Sequence, residues 1–185
     1  TINRKKTFFE NGIVAHVPMA QPTSKILMNL SKNILEKLNI KYSYGGTYLA
    51  MEGPQFSSKA ESLLYKSWNC DVIGMTNMPE AKLAREAEIR YASISMVTDF
   101  DSWSSEHDEV DLQILLETMN KNVEKSKNFI KELSNNFFNE VDFSSDICSK
   151  ILDTSIITKY ENWDRDTEIK LSTILKRFKK ENNVG

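Results

Sequence analysis

Asp99 and Asp101 stand one residue apart, with Phe100 between them, where the apolar run Tyr91–Thr98 stops. A carboxylate accepts hydrogen bonds, and a neighbouring carboxylic acid can hand a proton to a leaving group. Burial or the charge next door must first raise one of the two pKa values. Aspartate also favours solvated turns, so the same spacing is compatible with a plain surface turn if the pair encloses nothing. Phe56 follows the turn Glu52-Gly53-Pro54-Gln55, so its ring can stand in a cleft rather than a core. Met75 and Thr76 close the run Asp71–Gly74 just ahead of a helix signal. Backbone N–H groups at such a point can meet hydroxyls or an oxyanion.

These groups need elements to hold them. Gly45 and Gly46 lead into the β-prone run Thr47–Met51, which must stop at Glu52-Gly53-Pro54 because proline cannot donate to a ladder. Ser57 or Ser58 then caps a helix, and Glu61 lies three residues after Ser58, a capping-box spacing. Ala60, Leu63, Leu64 and Trp68 mark its predicted buried face. Asp71–Met75 reads as a second strand and Tyr91–Thr98 as a third, with a helix opening at Met78-Pro79-Glu80 between them. Polar residues at the carboxyl ends of successive strands are where open α/β sheets bind ligands.

Ahead of this stretch, Ile13–Val17 reads as a strand ended by Pro18, with His16 as an interior histidine. Thr23 or Ser24 caps a helix whose buried stripe is Ile26, Leu27, Leu30, Ile34 and Leu38, and Asn39 ends it. Lys41–Ala50 returns as a strand broken by the glycine pair. After Trp103, the polar segment Ser104–Glu109 includes Glu106, His107 and Asp108 but no spaced set of metal ligands, so a solvated loop or helix cap is expected and no metal. A long helix follows from Val110 to Ser134, striped by Leu112, Leu115, Leu116, Met119, Val123, Ile130 and Leu133. Ile147, Ile151 and Leu152 mark another helix, and Leu171, Ile174, Leu175 and Phe178 the last.

With 185 residues, 40% apolar and 27% charged, the chain has the make-up of one globular domain. Twenty-four basic against 26 acidic residues leave a formal charge of −2, so no basic field draws nucleic acid or an anionic membrane. No apolar run reaches the roughly 20 residues of a membrane helix. The polar start Thr1–Lys6 lacks the hydrophobic core of a secretory signal. Cys70 and Cys148 form neither a disulfide framework nor a metal spacing, and Cys70 reads as a small buried hydrophobe. The expectation is a reduced, cytoplasmic protein.

Three ordered motifs resemble the purine nucleoside phosphorylase family. They are Glu52-Gly53-Pro54-Gln55-Phe56, Gly74-Met75-Thr76-Asn77-Met78-Pro79-Glu80 and Thr98-Asp99-Phe100-Asp101. The two aspartates resemble the 5′-methylthioadenosine phosphorylase branch. The likeness extends from His16-Val17-Pro18-Met19-Ala20 through Ala84-Arg85-Glu86-Ala87 to Ile156-Ile157-Thr158, weakening after Val123. It implies a three-layer α/β/α domain with a mixed twisted sheet, of which residues 1–185 form the C-terminal part. The family's glycine-rich phosphate loop and an Arg-His phosphate pair belong to an earlier part. The expectation is that a second polypeptide supplies that part or that the chain is incomplete, and that the isolated chain is inactive.

The resemblance also implies roles. Asp99 and Asp101 would hold the 6-amino group and N7 of adenine and protonate the leaving base, general-acid catalysis worth roughly 10²–10⁴-fold. Phe56 would stack on the purine. Ile73, Met75, Thr98, Leu112 and Leu115 would complete the nucleoside site, and Thr76 would bind both the sugar side and phosphate. Leu112 and Leu115 read equally well as core. No cofactor is implied: inorganic phosphate is a co-substrate that displaces the base to give ribose 1-phosphate. A homotrimer or hexamer is implied, possibly with a separate N-terminal chain. The expected activity is phosphorolysis of 5′-methylthioadenosine. A broader purine nucleoside phosphorylase and a non-catalytic adenine-nucleoside-binding or oligomerisation subunit are the alternatives.

Overall fold

The computed structural model describes residues 3–104, 112–136, 142–144 and 146–183, and of Leu112 and Ile114 the backbone alone. His107 and its acidic neighbours lie outside the described residues, as do Val110, Phe137 and Phe138. The helices are α1 (Lys25–Lys37), α2 (Lys59–Ser67), α3 (Glu80–Glu86), α4 (Leu112–Asn136), α5 (Leu152–Ser155), α6 (Arg165–Lys170) and α7 (Ser172–Glu181). The strands are β1 (Tyr48–Ala50) and β2 (Val72–Gly74). Contacts divide the chain into two compact units. The first takes in Met28–Asn77 and Ser93–Val141, the second Asn3–Leu27, Met78–Ala92 and Asp142–Gly185.

In the first unit β1 and β2 pair in parallel, Tyr48 opposite Val72, Leu49 opposite Ile73 and Ala50 opposite Gly74. The helix between them, α2, is the crossover that parallel strands require. Its start is as the sequence predicts: Ser58 Oγ accepts from Glu61 N while the Glu61 carboxylate accepts from Ser58 N. Its buried face is not. Ser62 is 1% exposed, whereas Leu63, Leu64 and Trp68 are about half exposed and Ala60 is exposed. Ser62 is the buried residue of α2, and its hydroxyl accepts from the Trp103 backbone N–H.

The first unit's apolar cluster joins Leu30 and Ile34 of α1 to Phe129 of α4, with Leu35, Leu38 and Leu133 around them. Asn39 ends α1 in the left-handed region, φ 54°, as its position suggests. The long helix buries Phe129 and leaves Leu116, Met119, Val123 and Ile130 exposed. Its expected stripe therefore contributes to the core only near its C-terminal half.

The second unit holds the larger cluster: Phe9, Ile13, Ile151, Leu152, Leu171 and Leu175, against which pack Trp163 and Phe178, their rings stacked on each other at 6.1 Å. Burial of each such side chain contributes about 1.5–3 kcal/mol. Asp164 caps α6 by accepting from Thr167 N at 2.8 Å. Arg177 of α7 grips Glu88 through two 2.6 Å bonds, and the Glu88 carboxylate also accepts from Leu152 N. Glu168 is buried between Lys179 and Arg165.

Several expected strands are shorter or absent. Ile13–Val17 makes a single antiparallel bridge, Ala15 to Ile156, flanked by His16 N to Ser155 O and Ile157 N to Val14 O. His16 is exposed rather than interior, because Ile13 and Val17 turn the alternating face inward and not residue 16. The Lys41–Ala50 run is strand only at Tyr48–Ala50, and Tyr91–Thr98 is in no ladder among the described residues. A strand exists only through a neighbour of matching register, which β propensity cannot supply. Cys70 is half-buried, Cys148 buried, and Ile147 exposed at the first position of a 3₁₀ turn. Burial pushes the Cys148 thiol pKa up. Among the described residues no helix is long and apolar enough to cross a membrane.

Candidate active site

Phe56, Ile73, Met75, Thr76, Thr98, Asp99, Asp101 and Leu115 all belong to the first unit. A series of contacts links the loops that carry most of them. Thr76 follows β2, and its Oγ1 lies 3.3 Å from the Tyr48 hydroxyl of β1. Met75, its neighbour, packs under Gly53. There a Cβ would lie 2.5 Å from the Met75 sulfur, and φ is +71°, so both space and backbone call for glycine. The chain then turns through Pro54 to Phe56, whose ring is 85% exposed. Ser57, buried beside it, sends its hydroxyl toward the Met51 sulfur at 3.6 Å.

Ser57 also ties this loop to the aspartates. Its carbonyl accepts from Ser102 Oγ at 3.0 Å, and Ser62 Oγ of α2 accepts from Trp103 N at 3.0 Å. Asp101 O accepts from Ser104 N at 3.1 Å, which closes the turn. Lys66 of α2 sits 3.4 Å above the Trp103 ring, a cation–π contact, and Phe100 meets that ring edge-on at 5.8 Å. The Asp99–Trp103 segment is thus fastened to Ser57, next to Phe56, and to Ser62 and Lys66 of α2. Asp99 is exposed, its Oδ1 accepting from Thr98 Oγ1 at 2.5 Å, and Asp101 is half-buried.

The remaining expected residues are less engaged. Ile73 lies in β2, half-buried, opposite Leu49. Leu115 is half-buried on α4, seven residues before Asn122, whose side-chain amide donates to Val97 O at 3.0 Å. A seven-residue step keeps both on one helix face, which sets Leu115 on the side of α4 that meets the Val97–Thr98 segment. The Leu112 side chain lies outside the described residues. Among the described residues no group of three or more His, Cys, Asp or Glu is placed to hold a metal. Sequence reading missed Tyr48, Ser62 and Lys66 as supports. The only local signal was a serine on an otherwise apolar helix stripe.

The second unit has a cleft of about 300 Å³ lined by Thr23, Ser24, Arg85, Arg90, Tyr91 and Asp146, among others. Its two arginines are engaged, Arg90 with Asp146 at 2.8 Å and with the Phe143 ring, Arg85 with Gln21 O, and Lys25 also lines it. None of the motif residues lines it.

A family model described as the phosphorylase superfamily matches residues 1–135. The chain belongs to that superfamily. Its α/β architecture, helices with a small parallel sheet, is a phosphorylase-type domain. The S-methyl-5′-thioadenosine phosphorylase of Cereibacter sphaeroides is 46% identical over 96% of this chain, and that of Rhodospirillum rubrum 45% over 96%. The chain spans 61% and 60% of the length of these two relatives. Among solved structures, a methylthioadenosine phosphorylase sourced from an Antarctic soil metagenomic library aligns with a TM-score of 0.84 at 35% identity, covering 93% of this chain and 60% of that one. The Schistosoma mansoni methylthioadenosine phosphorylase in complex with adenine aligns at 0.73 and 29% identity, covering 83% of this chain and 62% of that one.

Proposed function

We propose that these 185 residues carry the nucleoside side of a phosphorylase that cleaves 5′-methylthioadenosine with inorganic phosphate. The products are adenine and 5-methylthioribose 1-phosphate. The observation that carries this reading is the linkage of Thr76 through Met75, Gly53 and Ser57 to the Asp99–Trp103 turn. That linkage joins the loops that carry Thr76, Phe56 and the two aspartates within one unit, which supports the reading. It is supported by relatives named for this reaction at 40–46% identity.

The roles follow from the chemistry of each group. Phe56 stacks on adenine, a contact worth about 1–3 kcal/mol for a base on an aromatic ring. Asp99 accepts from the 6-amino group, and the aspartate pair delivers a proton toward N7 as the glycosidic bond breaks. Ile73, Met75, Thr98, Leu112 and Leu115 enclose the sugar and its methylthio group. Thr76 donates to phosphate as it attacks the anomeric carbon. Further phosphate ligands come from the part of the domain that the relatives have beyond the matched span. The assembly is a trimer or hexamer in the cytoplasm, to which the exposed ring of Phe100 offers a contact. A monodisperse monomer of the active species in sedimentation counts against that assembly.

The test measures phosphate-dependent adenine release from 5′-methylthioadenosine, adenosine and inosine. It uses the chain alone and the chain with a polypeptide carrying the rest of the relatives' domain. Release from methylthioadenosine in preference to the others, requiring phosphate and the added polypeptide, is expected. Preference for inosine, or tight adenine binding without release in any arm, overturns the reading.

A further inference from the structure

The Tyr48 side chain crosses the carboxyl end of the β1–β2 pair. Tyr48 stands opposite Val72 in register, yet its hydroxyl reaches past Gly74 to within 3.3 Å of Thr76 Oγ1. Gly74 makes that crossing possible: a Cβ there would lie 2.0 Å from the Tyr48 hydroxyl oxygen and 2.9 Å from Cζ. The backbone of Gly74 is not in the left-handed region, so the glycine is needed for space and not for conformation. A tyrosine ring, a missing side chain and a threonine hydroxyl thus form one arrangement.

We propose that Tyr48 is a positioning residue that orients the Thr76 hydroxyl toward an oxyanion, inorganic phosphate in the reaction proposed above. The inference rests on that reading of Thr76. A threonine hydroxyl has one proton and two acceptor lone pairs. Left alone, it rotates and can give its proton to solvent or to a nearby carbonyl. When the Tyr48 hydroxyl donates to Thr76 Oγ1, 3.3 Å away, the threonine proton is left for the anion. Accepting one hydrogen bond also strengthens the bond a hydroxyl donates. Tyr48 itself does not touch the anion. No proton changes owner in this relay: Tyr48 donates to Thr76, and Thr76 donates to phosphate.

The test combines two readouts. In the first, inorganic phosphate is titrated into the 185-residue chain and its Tyr48→Phe, Gly74→Ala, Thr76→Val and Tyr48→Phe/Thr76→Val variants, followed by ³¹P line broadening. In the second, the same variants are assayed in the phosphorylase completed as above, with KM for phosphate and for nucleoside measured separately. Loss of one hydrogen bond of ordinary strength predicts about a 3- to 10-fold weaker phosphate interaction in Tyr48→Phe. The nucleoside KM, and kcat at saturating phosphate, should be unchanged. Gly74→Ala should reproduce the effect by displacing the ring, and Tyr48→Phe should add nothing once Thr76 is valine. Equal rises in both KM values, or no phosphate effect in Tyr48→Phe while Thr76→Val weakens phosphate, overturn the positioning role and leave Thr76 standing. No phosphate effect in Thr76→Val removes the phosphate reading of Thr76 itself, and the proposal with it.

Discussion

Ser62→Ala isolates what holds the aspartate turn in place. Ser62 is 1% exposed, and its hydroxyl oxygen is the acceptor for the Trp103 backbone N–H. Alanine takes the Ser62 acceptor from a part-buried N–H, a cost of about 1–3 kcal/mol. Alanine is the better helix former, which returns roughly 0.5 kcal/mol. The net loss is then about 0.5–2.5 kcal/mol, since the Lys66–Trp103 contact and the Ser102–Ser57 bond remain. For a chain of this size 1 kcal/mol shifts the melting temperature by roughly 2–4 °C, so a fall of about 1–10 °C is expected. The control is Ser67→Ala on the same helix. Ser67 Oγ donates to Leu64 O at 2.6 Å, but at an exposed site where water replaces the bond, so this variant should match or exceed the parent. Thermal unfolding followed by near-ultraviolet circular dichroism compares the three proteins. Equal midpoints for Ser62→Ala and Ser67→Ala would refute the idea that a buried serine–backbone bond fastens the turn.

Asp99→Asn should shift the completed enzyme about 10- to 100-fold from 6-amino toward 6-oxo substrates, because one charge-assisted bond of about 1.5–3 kcal/mol is exchanged for an amide that both donates and accepts. Asp101→Asn should slow both classes, and kcat/KM for methylthioadenosine and inosine on each variant decides, equal losses in Asp99→Asn showing that the 6-position is not read there. Glu168→Gln should lower the unfolding midpoint at pH 7. Lys179 first, and Arg165 with it, hold the Glu168 carboxyl below its ordinary pKa, so the charged form adds stability above the unfolded value of about 4.3 that disappears as pH falls through the folded value. The gap between parent and variant should therefore close in acid, and a gap constant from pH 8 to pH 3 would mean that packing, not ionisation, is lost.

The turns and caps around the candidate residues were readable before any fold because the motifs carry backbone constraints with them. Gly53-Pro54 demands a turn, Ser58 with Glu61 demands a helix start, and Asp-x-Asp after an apolar run marks the end of an extended segment. Helix positions were legible for the same local reason: caps and 3.6-residue stripes act within a turn or two. Asn39 ends α1 and Ser58 begins α2 where their chemistry says.

Tertiary structure decided everything that depends on a partner distant in sequence. Tyr91–Thr98 has the residues of a strand but no register neighbour among the described residues, and a ladder needs two sides. Ser62, and not the apolar stripe of α2, is the buried residue of that helix, and its hydroxyl accepts from Trp103 N, 41 residues away. Gly74 looks in the sequence like any strand glycine; only the fold reveals that Tyr48, 26 residues earlier, occupies its missing side chain's place. Local composition determined which groups were present and which turns they sat in. Long-range hydrogen bonds and close packing determined which of them touch.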